Sequence, residues 1–119
     1  MSRISIPRLR RFVADRESAH AALMRANENV RAARDRMNRA REALTRYDET
    51  DGRRTPGQNS IDYRARHIAD VNTARDAVDG AEAAQAAAHE AWEQVAALGT
   101  AAIDHARSIG QLPADLEDR

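Results

Sequence analysis

The sequence predicts an all-α fold, a long antiparallel two-helix hairpin of Ala-rich coiled-coil type that assembles into a larger helical bundle. Three observations predict it. Apolar and small residues recur at heptad spacing on both sides of a single break containing Pro and Gly. Large residues of one half fall opposite small residues of the other when the halves are laid antiparallel. The two halves also carry opposite charge: residues 1–60 hold 14 Arg against 8 Asp and Glu, a balance of +6, and residues 61–119 hold 5 Arg against 11 Asp and Glu, a balance of −6. Side by side, each arm supplies the other's counter-charge.

The 119 residues are read as one helical-hairpin domain, with helix 1 over about 6–50, a loop over 51–60, helix 2 over about 61–109 and a tail over 110–119. Ser5 and Pro7 mark the first helix start, because Pro is tolerated in a first turn where its missing N–H is not needed. The seam of helix 1 is Leu9, Arg16, Leu23, Val30, Met37 and Leu44, joined by Phe12, Ala19, Ala26, Ala33, Ala40 and Tyr47. Gly52 suits a left-handed cap at the far end of this helix.

Beyond the loop, Asn59 or Ser60 is expected to cap helix 2, with Asp62 in its electropositive first turn. The second seam is Val71, Val78, Gln85, Trp92, Gly99 and Ala106, joined by Ala74, Ala81, Ala88, Val95, Ala102 and Ile109. Ile61, Ala65 and Ile68 stand out of phase with it, a stutter near the loop. Gly110 reads as the C-terminal cap and Pro113 as the stop.

Antiparallel layers whose residue numbers add to 111 pair Phe12 with Gly99, Ala19 with Trp92, Leu23 with Ala88, Val30 with Ala81, Ala33 with Val78, Met37 with Ala74, and Ala40 with Val71. Each layer sets large against small, which lets two backbones approach while the seam stays filled. The centre of this pairing falls between Thr55 and Pro56, inside the loop that the turn residues mark. Helices of about 45 residues give a rod of roughly 65 to 70 Å.

A hydrophobic fraction of 42% includes many alanines, and aromatics are only 3%: Phe12, Tyr47, Tyr63 and Trp92. A thick globular core is therefore excluded. No Cys is present, which removes disulfides, thiolate metal sites and cysteine nucleophiles. No apolar run reaches the length of a membrane span and the N-terminus lacks a signal-peptide core, so a cytoplasmic or virion-associated chain without membrane contact is expected. Every basic residue is Arg, a bias that fits a GC-rich bacterial or bacteriophage genome.

Candidate functional residues fall in three groups. Glu17, His20, His89 and Glu93 meet on one side in the proposed register and are the metal-ligand candidates, two imidazoles and two carboxylates. Glu17 with His20 and His89 with Glu93 are also ordinary same-helix neighbours, and the second Glu-x-x-His copy of di-iron bundles is missing. Leu98, Ile103, Leu112 and Leu116 lie off the seam and are the partner-binding candidates. Arg53 and Arg54, at the loop tip, are the candidate anion contacts. The cluster Arg31, Arg34, Arg36, Arg39, Arg41 and Arg46 is spread around its helix with Asp35 and Glu42 interleaved. Gln85 on the seam is expected to fix register, Arg16 to send its charged end outward, and Tyr47 to receive Arg64 in a cation–π contact.

In size and architecture alone the hairpin resembles the small secreted hairpins of the WXG type. Their Trp-x-Gly signature lies in the turn, whereas here the turn has no Trp and Trp92 sits within helix 2, followed by Glu93 and Gln94. No strand, phosphate loop or cleft for a triad is evident. The expected function is a non-catalytic structural or protein–protein interaction module, without cofactor, that self-associates or docks on a larger assembly such as a phage particle or bacterial complex. The alternatives are an Arg-dependent nucleic-acid binder and a metal-binding bundle.

Overall fold

The computed structural model describes residues 5–51 and 58–117. Two long helices pack against each other as a hairpin, and none of the described residues forms a strand. Helix α1 spans Ile6–Arg46 and runs into a π-helical turn, Tyr47–Asp51; helix α2 spans Gln58–Ser108, and a short 3-10 turn follows at Ala114–Leu116. Ser5 caps α1 as its sequence position predicts: the Arg8 N–H donates to the Ser5 hydroxyl oxygen (3.4 Å) and the Leu9 N–H to the Ser5 carbonyl (2.9 Å). At the other end the Thr50 hydroxyl donates to the Arg46 carbonyl (2.6 Å), giving a partner to a backbone oxygen where the regular helix stops.

Helix α2 begins at Gln58, so Asn59 and Ser60 lie within its first turn rather than before it, a correction to the expected cap. The expected loop centre at Thr55 and Pro56, and the expected cap at Gly52, lie outside the described residues. Seam positions fare well. All those of α1 and its turn, from Leu9 to Tyr47, are buried or half-buried, and so are all those from Val71 to Ile109. Ile61, Ala65 and Ile68 are exposed, as their phase requires. Propensity favours the individual helices, and the buried seam holds them together, each buried Val or Leu contributing about 1.5 to 3 kcal/mol.

Contacts divide the chain into two units. The first comprises residues 1–25 and 86–119. Its core is Leu9 and Val13 of α1, Ile103 and Ala106 of α2, and Leu116 of the terminal turn, with Ala102 and Leu112 packed against them. Gly99 is buried here: a Cβ added to it would lie 3.3 Å from the Arg16 Cδ and 3.4 Å from the Phe12 carbonyl oxygen. The layer expected to set the Phe12 side chain on Gly99 therefore places the Phe12 backbone and the aliphatic stem of Arg16 there instead. Arg16 fills the seam with methylenes, and Gly99 makes the space.

Gly110, at φ 69°, reverses the chain after α2. Its N–H donates to the Arg107 carbonyl (3.2 Å) and the Gln111 N–H to the Ala106 carbonyl (2.9 Å), the paired bonds of a Schellman cap. Pro113 then prevents helix from resuming and the 3-10 turn carries Leu116 back into the core, where it is 4% exposed.

The second unit comprises residues 26–85. Ala26, Val30 and Tyr47 are buried from one side and Val71, Ala74 and Val78 from the other. Tyr47 does not receive Arg64. Its ring lies 5.2 Å from that of His67, while Arg64 is held by Asp48 through Nε–Oδ1 (2.9 Å) and Nη2–Oδ2 (3.4 Å). A carboxylate one residue from Tyr47 offers the guanidinium two charge-assisted bonds, which outweigh a ring face.

Candidate functional site

The four metal-ligand candidates are all exposed on the first unit. His20 and His89 share a neighbour, their rings lying 6.3 Å and 6.2 Å from that of Trp92. The indole occupies the seam position between the helices, and the imidazoles pack against it. His89 Nδ1 is 3.6 Å from Glu93 Oε1 within one helix turn. Among the described residues no group of three or more His, Cys, Asp or Glu side chains is placed to hold a metal ion, and Glu17, His20, His89 and Glu93 do not form one.

The partner-binding candidates separate. Leu98 is 56% exposed. Ile103 is 2% exposed and Leu116 4%, both inside the core of the first unit, and Leu112 packs against that core. Three of the four are thus corrected: the apolar surface read at the end of α2 is covered by the chain's own tail. The reason is the return turn at Gly110, which a heptad reading stops short of.

That return is also pinned electrostatically. Arg10 Nη1 and Nη2 reach Asp115 Oδ2 and Oδ1 at 2.5 Å and 3.0 Å. The hydrogen bonds from Arg10, with its charge, hold the Asp115 carboxyl below the ordinary carboxylate range, and Asp115 raises the guanidinium of Arg10 in turn. Arg10 and Asp115 escaped the sequence reading. Leu112 and Leu116 at helical spacing around Pro113, with an acid beside them, were the available signal.

In the second unit Gln85, half-buried on the seam, donates from Nε2 to the Asn27 Oδ1 at 2.7 Å. The register role expected of Gln85 thus acquires a partner on the facing helix, Asn27, that the seam pattern did not select. One turn away Arg34 Nη2 meets Glu82 Oε1 at 3.0 Å. Together with Val30, Arg31, Asp35 and Asn38, the residues Asn27, Arg34 and Gln85 line an open groove of about 580 Å³. It is polar, and Arg31 lies on it without an ion pair among the described residues. Arg53 and Arg54 lie outside the described residues.

Apart from Leu98, the large apolar residues left exposed are Met24, Ile61, Tyr63 and Ile68. On α2, Leu98 lies on a strip with Ala87, Ala91, Gln94 and Ala101, at spacings of four and three residues, all exposed. Such a strip repeats the heptad pattern of a packed seam, one residue out of phase with the seam that faces α1. No helix among the described residues is long and apolar enough to cross a membrane. Against known proteins, no family model matches the chain, and no curated protein or solved structure matches it.

Proposed function

We propose that the protein is a non-catalytic protein–protein interaction module, built to associate through a helix face that its own fold leaves open. The observation that carries this reading is Leu98: a leucine 56% exposed, on a heptad strip with Ala87, Ala91, Gln94 and Ala101, on a chain whose other off-seam leucines near the end of α2 pack in or against the core. Alanine and leucine both serve helix propensity on a wet surface, but the leucine also offers apolar area that a docked helix would remove from water. The partner is a second copy or a larger assembly. The test is to purify the chain and measure its mass by light scattering over a range of concentration, alongside affinity capture with chemical cross-linking. Association, or recovery of a defined partner that a Leu98 variant fails to capture, supports the reading; a strictly monomeric chain that captures nothing removes it.

A second reading rests on the groove of Arg31, Arg34, Asn27 and Asn38, whose guanidiniums and amides suit a phosphate backbone. Glu82 already engages Arg34, and Asp35 lines the same groove, so it stands behind the first. Mobility shift at low salt, lost as salt rises and weakened by Arg31→Gln, is its expected signature.

A further inference from the structure

We infer that the occupant of the Leu98 face is a second copy of this chain, docked through the first unit so that α2 of each copy lies antiparallel against α1 of the other. The inference rests on the interaction-module reading and specifies its partner. Three observations on the first unit lead to it.

Charge is the first. The α1 segment of this unit carries Arg8, Arg10, Arg11, Arg16 and Arg25 against Asp15 and Glu17, while its α2 segment and tail carry Glu90, Glu93, Asp104, Asp115 and Glu117 against Arg107. Arg10 reaches across to an acid, Asp115, whereas Arg11, Arg25 and Glu90 make no ion pair among the described residues. Each copy therefore offers a basic helix and an acidic helix side by side, the complement of what another copy offers when basic is set over acidic.

Spacing is the second. Glu90 and Asp104 border the Leu98 strip on α2 and are two heptads apart; Arg11 and Arg25, exposed on α1, are also two heptads apart. Antiparallel contact of α2 with α1 of the second copy, in a single register, then pairs Glu90 with Arg25 and Asp104 with Arg11. The same register brings Leu98 level with Glu17, beside Ser18, and Gln94 level with Ala21, beside Ala22. The small residues beside these positions leave room for the Leu98 side chain between the ion pairs.

Symmetry is the third. A two-fold axis along the helices repeats each contact, and every helix in the resulting four-helix bundle has antiparallel neighbours, the arrangement in which helix dipoles and coiled-coil packing agree. The reverse two-fold, with α2 on α2 and α1 on α1, brings Arg11 against Arg25 of the other copy and is disfavoured by charge.

Sedimentation equilibrium of the full chain and three variants tests this. The chain is expected to dimerise between about 1 and 100 μM. Leu98→Arg is expected to raise the dissociation constant about a hundredfold or more, since two-fold symmetry counts the change twice. Arg25→Glu should raise it about tenfold, and combining it with Glu90→Arg should restore dimerisation, which a merely misfolded variant would not do. Circular dichroism keeps folding under watch. A wild-type chain that stays monomeric overturns the inference, although capture of another partner through Leu98 would leave the interaction-module reading standing. A dimer indifferent to Leu98→Arg, or an Arg25→Glu defect that Glu90→Arg fails to repair, overturns the proposed face while self-association stands.

Discussion

Arg10, in the second turn of α1, and Asp115, two residues before the end of the described chain, are joined by two hydrogen bonds of 2.5 Å and 3.0 Å. They lie 105 residues apart in sequence, and their pairing closes the tail over a core in which Leu116 is 4% exposed beside Leu9, Val13, Ile103 and Ala106. Both charged groups remain solvated, so the pair steers the tail while the leucine supplies the stabilisation.

Leu116→Ala should accordingly destabilise the protein by about 2 to 4 kcal/mol, the range for removing a buried leucine that partly collapses. Urea unfolding monitored by circular dichroism checks this. A change indistinguishable from a surface mutation would mean that the tail does not cover the core in solution.

Acid should release the tail through Asp115. Its carboxyl is held below the ordinary range by Arg10, so the pair's contribution is fully present above the unfolded carboxyl's value and is lost as pH falls through the depressed folded value. Hydrogen exchange at the Leu116 amide, which donates to the Pro113 carbonyl at 3.0 Å, should accelerate relative to the α2 interior below about pH 4. In Asp115→Asn that pH dependence should vanish.

Two glycines should respond in opposite directions. Gly80 lies mid-helix with nothing within 4 Å of an added Cβ, so Gly80→Ala should stabilise by about 0.5 to 1 kcal/mol. Gly110 has φ 69°, and Gly110→Ala should destabilise by about 1 kcal/mol or more while loosening the tail that follows. Thermal midpoints of the two variants, measured together, give the comparison.

Most of the hairpin was legible because its physics is periodic. Leu23, Val30, Val71 and Val78 recur at heptad spacing, and antiparallel pairing follows from their phase and from the Gly and Pro break. Ser5 and Gly110 announced their caps by residue type alone. What escaped the reading is aperiodic. Leu116 returns to the core through one turn of 3-10 helix, Asp48 engages Arg64 beside Tyr47, and Trp92 is the shared neighbour of His20 and His89. Each depends on where a side chain reaches in space, which spacing along a helix does not specify. Leu98 was legible as an off-seam leucine, and it stands apart because Ile103 and Leu116, read the same way, found cover within the chain.

Register within the hairpin has its own probe. Gln85 meets Asn27 at 2.7 Å in a seam filled elsewhere mainly by apolar atoms, an interaction that specifies alignment more than it stabilises. Gln85→Leu should leave the unfolding free energy within about 1 kcal/mol of wild type, because Asn27 remains solvated when its partner is lost. Ala88→Leu, by contrast, overpacks a half-buried seam position and should cost about 1 to 3 kcal/mol. Denaturant midpoints separate the two, and a neutral Ala88→Leu would contradict the seam assignment.

The central claim, that this hairpin is an association module working through the Leu98 face, is tested most directly by light scattering of the wild-type chain and of Leu98→Arg at matched concentrations. The account predicts a wild-type mass rising toward twice 13.2 kDa with concentration, and a variant that remains helical at 13.2 kDa throughout. A wild-type mass fixed at 13.2 kDa at every concentration, with no partner captured, would contradict it.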